Sequence, residues 1–94
     1  MEYIILDGAD YLERSDFYGD IRTKMNFPEY FGNNLDALHD CLCERGTPTS
    51  LILLNQKELE EHLGNYAEGI RTVLRESAEE NGNLQYHEVH WEEE

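Results

Sequence analysis

The sequence predicts an α/β fold: one small domain with a three-stranded parallel sheet packed by about four helices. Three observations predict it. Apolar runs of strand length recur at the start, middle and end of the chain. Between each successive pair lie two segments whose apolar residues fall at helical spacing, and strands joined by helical crossovers form parallel sheets. A length of 94 residues holds one hydrophobic core and leaves no room for a second.

The elements follow in order. Residues 2–6 form a first strand, with Tyr3, Ile4, Ile5 and Leu6 as a short buried run closed by Asp7-Gly8. Ser15 caps a helix running to about Met25, in which Phe17, Ile21 and Met25 recur four apart and Tyr18 widens the stripe. Asp16 in its first turn and Lys24 in its last complement the helix dipole. Pro28 and Gly32 bracket a loop carrying Tyr30 and Phe31. Asn33 or Asn34 caps a second helix that ends near Cys43 or Glu44, before the break Arg45-Gly46-Thr47-Pro48.

Residues 50–54 form a second strand, a nearly continuous apolar run of the kind expected when both faces are covered. Residues 56–63 make a short helix that Gly64 stops. Asn65 caps the longest helix, 66 to about 80, whose apolar face is Tyr66, Ile70, Val73 and Leu74. Asn81-Gly82-Asn83 turns the chain into a last strand at 84–90. The domain is thus expected over 1–91, and 92–94, three glutamates, form a frayed acidic tail. No internal repeat or linker interrupts it.

Charge excludes several classes of function. Asp and Glu number 21 against 7 Lys and Arg, a formal net charge of −14. Phosphate contacts need Lys and Arg, so direct binding of nucleic acid is excluded, as is an anionic membrane surface. A cationic partner is favoured, approached quickly and with strong salt dependence. The same self-repulsion favours a monomer in isolation. Disorder is the plain alternative for so acidic a chain, but apolar residues make up 39% and are periodic. No leader of basic, apolar and small residues opens the chain, and the longest apolar run, Leu51-Ile52-Leu53-Leu54, is far short of a membrane span. Cys41 and Cys43 point in different directions from one helix, which favours reduced thiols and a cytoplasmic location.

The second helix concentrates the chemistry. Leu35, Leu38 and Leu42 cluster within about 60° and form the core side. Asp36 and Asp40 lie roughly 120° away, one turn apart, with His39 beside them. Two carboxylates at about 6 Å repel by roughly 0.7 kcal/mol in water and about 3 kcal/mol at an effective dielectric of 20. A helix tuned only for stability would carry Lys at position 40. A solvated face is the bland reading; the aromatic loop that precedes the pair favours a binding surface.

The stretch Pro28 to Leu42, PEYFGNNLDALHDCL, resembles the barstar family of ribonuclease inhibitors, whose pattern is close to Pro-x-Tyr-[Tyr/Phe]-Gly-x-Asn-x-Asp-Ala-Leu-x-Asp-Cys-Leu. The likeness is long and gapless there and extends more weakly over the whole chain. It implies a barstar-like sheet packed by helices, and an immunity protein that plugs a microbial ribonuclease active site with the second helix and the loop before it. Carried over by position, the partner-binding residues are Tyr30, Asn34, Leu35, Asp36, His39 and Asp40, with Glu76 from the long helix. Asp40 matches the residue that stands in for a substrate phosphate. Position 39 is often Trp in the family and is His here, a smaller and titratable contact, and the segment after the helix lacks the aromatics of the family pattern. Both departures point to a different target nuclease. The implied partner is a basic ribonuclease bound one to one.

Other chemistry is weaker. Asp36, His39 and Asp40 have ligand-like side chains, but one exposed helix face makes a very open metal site, so no metal or cofactor is expected. Cys41 is expected as a core thiol, and a catalytic Cys–His pair with His39 lacks a third group to orient it. His87 and His90, three apart on a strand, face opposite sides of the sheet. An acid/base pair of Asp36 and Asp40 would sit on a convex surface without a cleft, so an enzyme is not expected. The stronger alternative is an acidic nucleic-acid mimic toward another basic protein. That reading spreads affinity over the acidic surface, including Glu92 to Glu94, whereas an inhibitor concentrates it at Asp40.

Overall fold

The central strand organises the molecule. A computed structural model describes residues 1–89. In it β2 (Thr49–Leu54) lies between β1 (Glu2–Asp7) and β3 (Leu84–Val89), and all three strands run parallel. A short 3-10 turn (Gly8–Asp10), α1 (Arg14–Met25) and α2 (Leu35–Cys43) connect β1 to β2; α3 (Gln56–Leu63) and α4 (Asn65–Glu80) connect β2 to β3. The expected α/β class, strand count and element order are all present. The predicted strand residue His90 and the predicted tail 92–94 lie outside the described residues.

Register explains which strand residues enter the core. Ile4 and Leu6 of β1, Leu51 and Leu53 of β2 and Leu84 of β3 are buried. Against them pack Phe17, Tyr18, Ile21 and Met25 of α1, Leu38 and Leu42 of α2, and Ile70 and Leu74 of α4. Fully burying such an aliphatic side chain contributes about 1.5–3 kcal/mol, so this face holds the sheet to its helices. The opposite face corrects the expectation of buried runs. In the row Ile5, Ile52 and His87, Ile5 is 41% exposed, Ile52 is half-buried and His87 is exposed. Tyr3 is 67% exposed on the same face. Continuous apolar sequence therefore did not mean two covered faces here. The Lys24 ammonium donates to the Ile5 carbonyl at 2.6 Å and pairs with Asp20 at 2.9 Å, placing a charge on the outer edge of β1.

Two other helix starts differ from expectation. The cap of α1 is Glu13, not Ser15, and the Asp16 carboxylate reaches back to accept from the backbone N–H groups of Glu13 (3.0 Å) and Leu12 (3.1 Å). Helix α4 starts one residue early, at Asn65, with Gly64 at φ 62° serving as the end of α3 and the cap of α4. Only a residue tolerant of positive φ makes that junction cheaply. Behind these helices the Arg71 guanidinium grips Glu88 with a two-pronged contact (2.9 and 2.8 Å) and Glu60 at 2.7 Å, joining α4 to β3 and α3.

Helices α2 and α4 run side by side in the same direction. At their starts, the Leu35 side chain packs over Gly69, where a Cβ would come within 2.9 Å of Leu35 Cδ1. At their ends, the two N–H bonds of the Asn81 side-chain amide are shared among the carbonyls of Leu42 (3.0 Å), Cys43 (3.3 Å) and Arg45 (2.9 Å). The Arg45 N–H also meets the Leu42 carbonyl (3.2 Å) and the Asn83 amide the Arg45 carbonyl (3.3 Å), so the end of α2 is closed by several donors.

Candidate partner-binding site

The site begins in the loop between α1 and α2. Asn26, in the left-handed conformation at φ 56°, ends α1, and the Phe31 N–H closes a turn onto the Pro28 carbonyl at 3.0 Å. That turn divides the aromatic pair. Phe31 is buried against Phe27 and Tyr18, with ring centroids 4.9 and 5.9 Å away, while Tyr30 is 87% exposed. One ring anchors the loop and the other is presented to solvent.

Asn34 sets the start of α2. Its Oδ1 accepts from the Ala37 N–H at 2.8 Å and its amide donates to the Gly32 carbonyl at 3.2 Å. An N-cap of this kind contributes about 1 kcal/mol. Asn34 was expected at the partner surface, and in the free chain its side chain is engaged in holding α2. Leu35 is half-buried against α4. Asp36, exposed in the first turn, sits where the helix dipole favours a carboxylate.

One turn further on, the Asp40 side chain is 79% exposed. Its one ion-pair contact among the described residues is His39 Nδ1 at 4.0 Å. The other ring nitrogen of His39 turns away toward α4, where Nε2 meets Glu80 Oε2 at 3.0 Å and Cys43 Sγ at 3.5 Å. The Glu80 hydrogen bond holds the imidazolium above its usual range; partial burial opposes this, and the charges of Glu80, Asp40 and Glu76 reinforce it. Glu76 is exposed on α4, and its charge adds the smallest of these contributions at His39. Of the seven predicted residues, all but Leu35 and His39 are exposed, and these two are half-buried.

Sequence reasoning missed two features. Arg14 and Tyr66 line a groove of about 470 Å³ beside Ser15, Asn34, Leu35 and Asp36, with the guanidinium 3.8 Å above the Tyr66 ring. The Tyr66 hydroxyl shares a hydrogen bond with that of Tyr18. No local signal joins residues so far apart in the chain. The second missed feature is Cys43 with Glu80. The spacing His39-x-x-x-Cys43 places both side chains on one helix face and was available as a signal; Glu80 was not. Burial raises the Cys43 thiol pKa, aided by Glu80, while the Ser77 hydroxyl lowers it. Cys41 and Cys43 are both free thiols, and Cys41 is half-buried at the edge of the core.

Fold and site together define a class: a small acidic α/β protein that presents carboxylates from one pinned helix. Comparison with known proteins makes the class specific. Residues 1–90 match the family model described as "Barstar (barnase inhibitor)", and the chain belongs to the barstar family. It is also 40% identical over 81 residues to the "Putative ribonuclease inhibitor YrdF" of Bacillus subtilis (strain 168), covering 85% of this chain and 89% of that relative. Among the described residues no helix is long and apolar enough to cross a membrane.

Proposed function

We propose that this chain inhibits a microbial ribonuclease, seating α2 and the preceding loop in the nuclease cleft so that the Asp40 carboxylate occupies the place of a substrate phosphate. The observation that carries this reading is the exposure of Asp40, 79%, on a helix tied down at both ends. A nuclease that cleaves phosphodiesters gathers Arg, Lys and His around the scissile phosphate. A carboxylate held out on a rigid element can accept charge-assisted hydrogen bonds from those groups without reorganising.

The other acids divide the work. Asp36 and Glu76 flank Asp40 and meet secondary cations, Tyr30 packs on the rim, and the net charge of −14 steers the encounter. The complex is one to one, the chain itself performs no turnover, and its role is that of an immunity protein in the cytoplasm. Family membership and the name of the relative support the inhibitor role. The test is capture of binding proteins on immobilised chain at low and high salt, followed by an RNA-cleavage assay of what is retained. A captured ribonuclease silenced at equimolar inhibitor is expected. Capture of basic proteins without nuclease activity would favour the nucleic-acid mimic instead.

A further inference from the structure

Behind the proposed interface, one ring nitrogen has two partners. His39 Nε2 lies 3.0 Å from Glu80 Oε2 and 3.5 Å from Cys43 Sγ, and the donor atoms of all three residues lie within 4.8 Å of one another. The i,i+4 spacing on α2 brings the His39 ring and the Cys43 thiol together, and α4 adds the Glu80 carboxylate, so three different donor atoms converge.

We propose that His39 and Cys43 of α2 and Glu80 of α4 form a transition-metal site fitted to Zn²⁺, with water in the fourth position. A tetrahedral zinc with bonds of about 2.3 Å to sulfur and 2.0–2.1 Å to nitrogen separates those two ligands by roughly 3.5 Å. The separation here is 3.5 Å. Glu80 is exposed and needs only a side-chain swing to complete the set. The nitrogen, sulfur and oxygen donors suit zinc and not the oxygen-seeking Mg²⁺ or Ca²⁺.

The backbone holds the ligands in place. His39 and Cys43 are one turn apart on α2, and Glu80 directly precedes Asn81, whose amide fastens α4 to the end of α2. Zinc would thus cross-link the two helices that carry the proposed interface. The site stands independently of the inhibitor reading.

The test is titration of the reduced, chelator-treated full chain with Co²⁺, then Zn²⁺. One equivalent of Co²⁺ is expected to give visible bands of a tetrahedral ion and a near-ultraviolet sulfur-to-cobalt band, both removed by Zn²⁺, and zinc is expected to raise the melting temperature. Cys43→Ser abolishes the sulfur band, while His39→Gln and Glu80→Gln each weaken binding about tenfold or more. Cys41→Ser changes nothing. Glu80 is exposed, so Glu80→Gln keeps the test valid even if Cys43→Ser folds poorly. Absence of a sulfur band in the unsubstituted chain, a band that survives Cys43→Ser, or one lost with Cys41→Ser would overturn the proposal.

Discussion

The side-chain amide of Asn81 lies 3.0 Å from the carbonyl oxygen of Leu42, so the residue that ends α4 also closes the C-terminus of α2. The carbonyls of Cys43 and Arg45 share the same donor. Presentation of Asp36 and Asp40 therefore depends on a residue about forty positions along the chain.

Asn81→Ala is expected to cost about 2 kcal/mol, because it removes two N–H donors from the end of α2 at once, each contributing about 1 kcal/mol. In a domain of this size that lowers the melting temperature by about 10 °C. Urea denaturation monitored by circular dichroism checks it. Inhibition should weaken as well, since α2 is then less firmly oriented.

Two glycines should respond oppositely to alanine. A Cβ on Gly8 would sit 2.6 Å from the Asn55 carbonyl oxygen and 2.8 Å from Leu59 Cβ, so Gly8→Ala is expected to destabilise by about 2–3 kcal/mol. Gly19 lies exposed within α1 with nothing near its Cβ direction, so Gly19→Ala is expected to stabilise by about 0.5–1 kcal/mol. Denaturation midpoints of both variants against the unsubstituted chain decide the matter.

In metal-free buffer, protonated His39 faces Glu76 and Glu80 of α4 and Asp40 and Cys43 of α2. Its folded pKa is raised above the ordinary 6.5. The stability it contributes is therefore fully present below the unfolded value and is lost as pH rises through the folded one. Melting temperatures measured across that window should fall with rising pH, and Glu80→Gln should flatten the step. Zinc affinity should run the other way, since metal and proton compete for the same nitrogen.

Salt should separate steering from docking. Raising ionic strength shortens the reach of the −14 charge and is expected to slow association, with dissociation little changed. Asp40→Ala is expected mainly to speed dissociation. Stopped-flow association and competition-chase dissociation give the two rates separately.

Much of the fold was legible because periodicity reports burial along one element. The bounds of α3, the leucine face of α2 and the α1 stripe of Phe17, Ile21 and Met25 all follow from it. What it cannot report is which element covers which face. The outer side of the sheet at Tyr3 and Ile5 was therefore misjudged, since an apolar strand reads the same whether one face or two are packed. In the site, Asp36 and Asp40 were visible as a stripe on one helix, and His39 as their neighbour. That His39 turns toward Glu80 depends on the pairing of α2 with α4, which Asn81 fastens from far along the chain.

Binding to the captured ribonuclease by the unsubstituted chain, by Asp40→Asn and by Glu61→Gln tests the phosphate-mimic role most directly. The first substitution keeps the shape of the side chain and removes its charge; the second does the same at an exposed acid on α3. Asp40→Asn is expected to raise Kd about 100-fold or more, the cost of leaving buried cations of the partner uncompensated, and Glu61→Gln to change it less than about twofold. Equal and small losses at both positions would contradict the role assigned to Asp40.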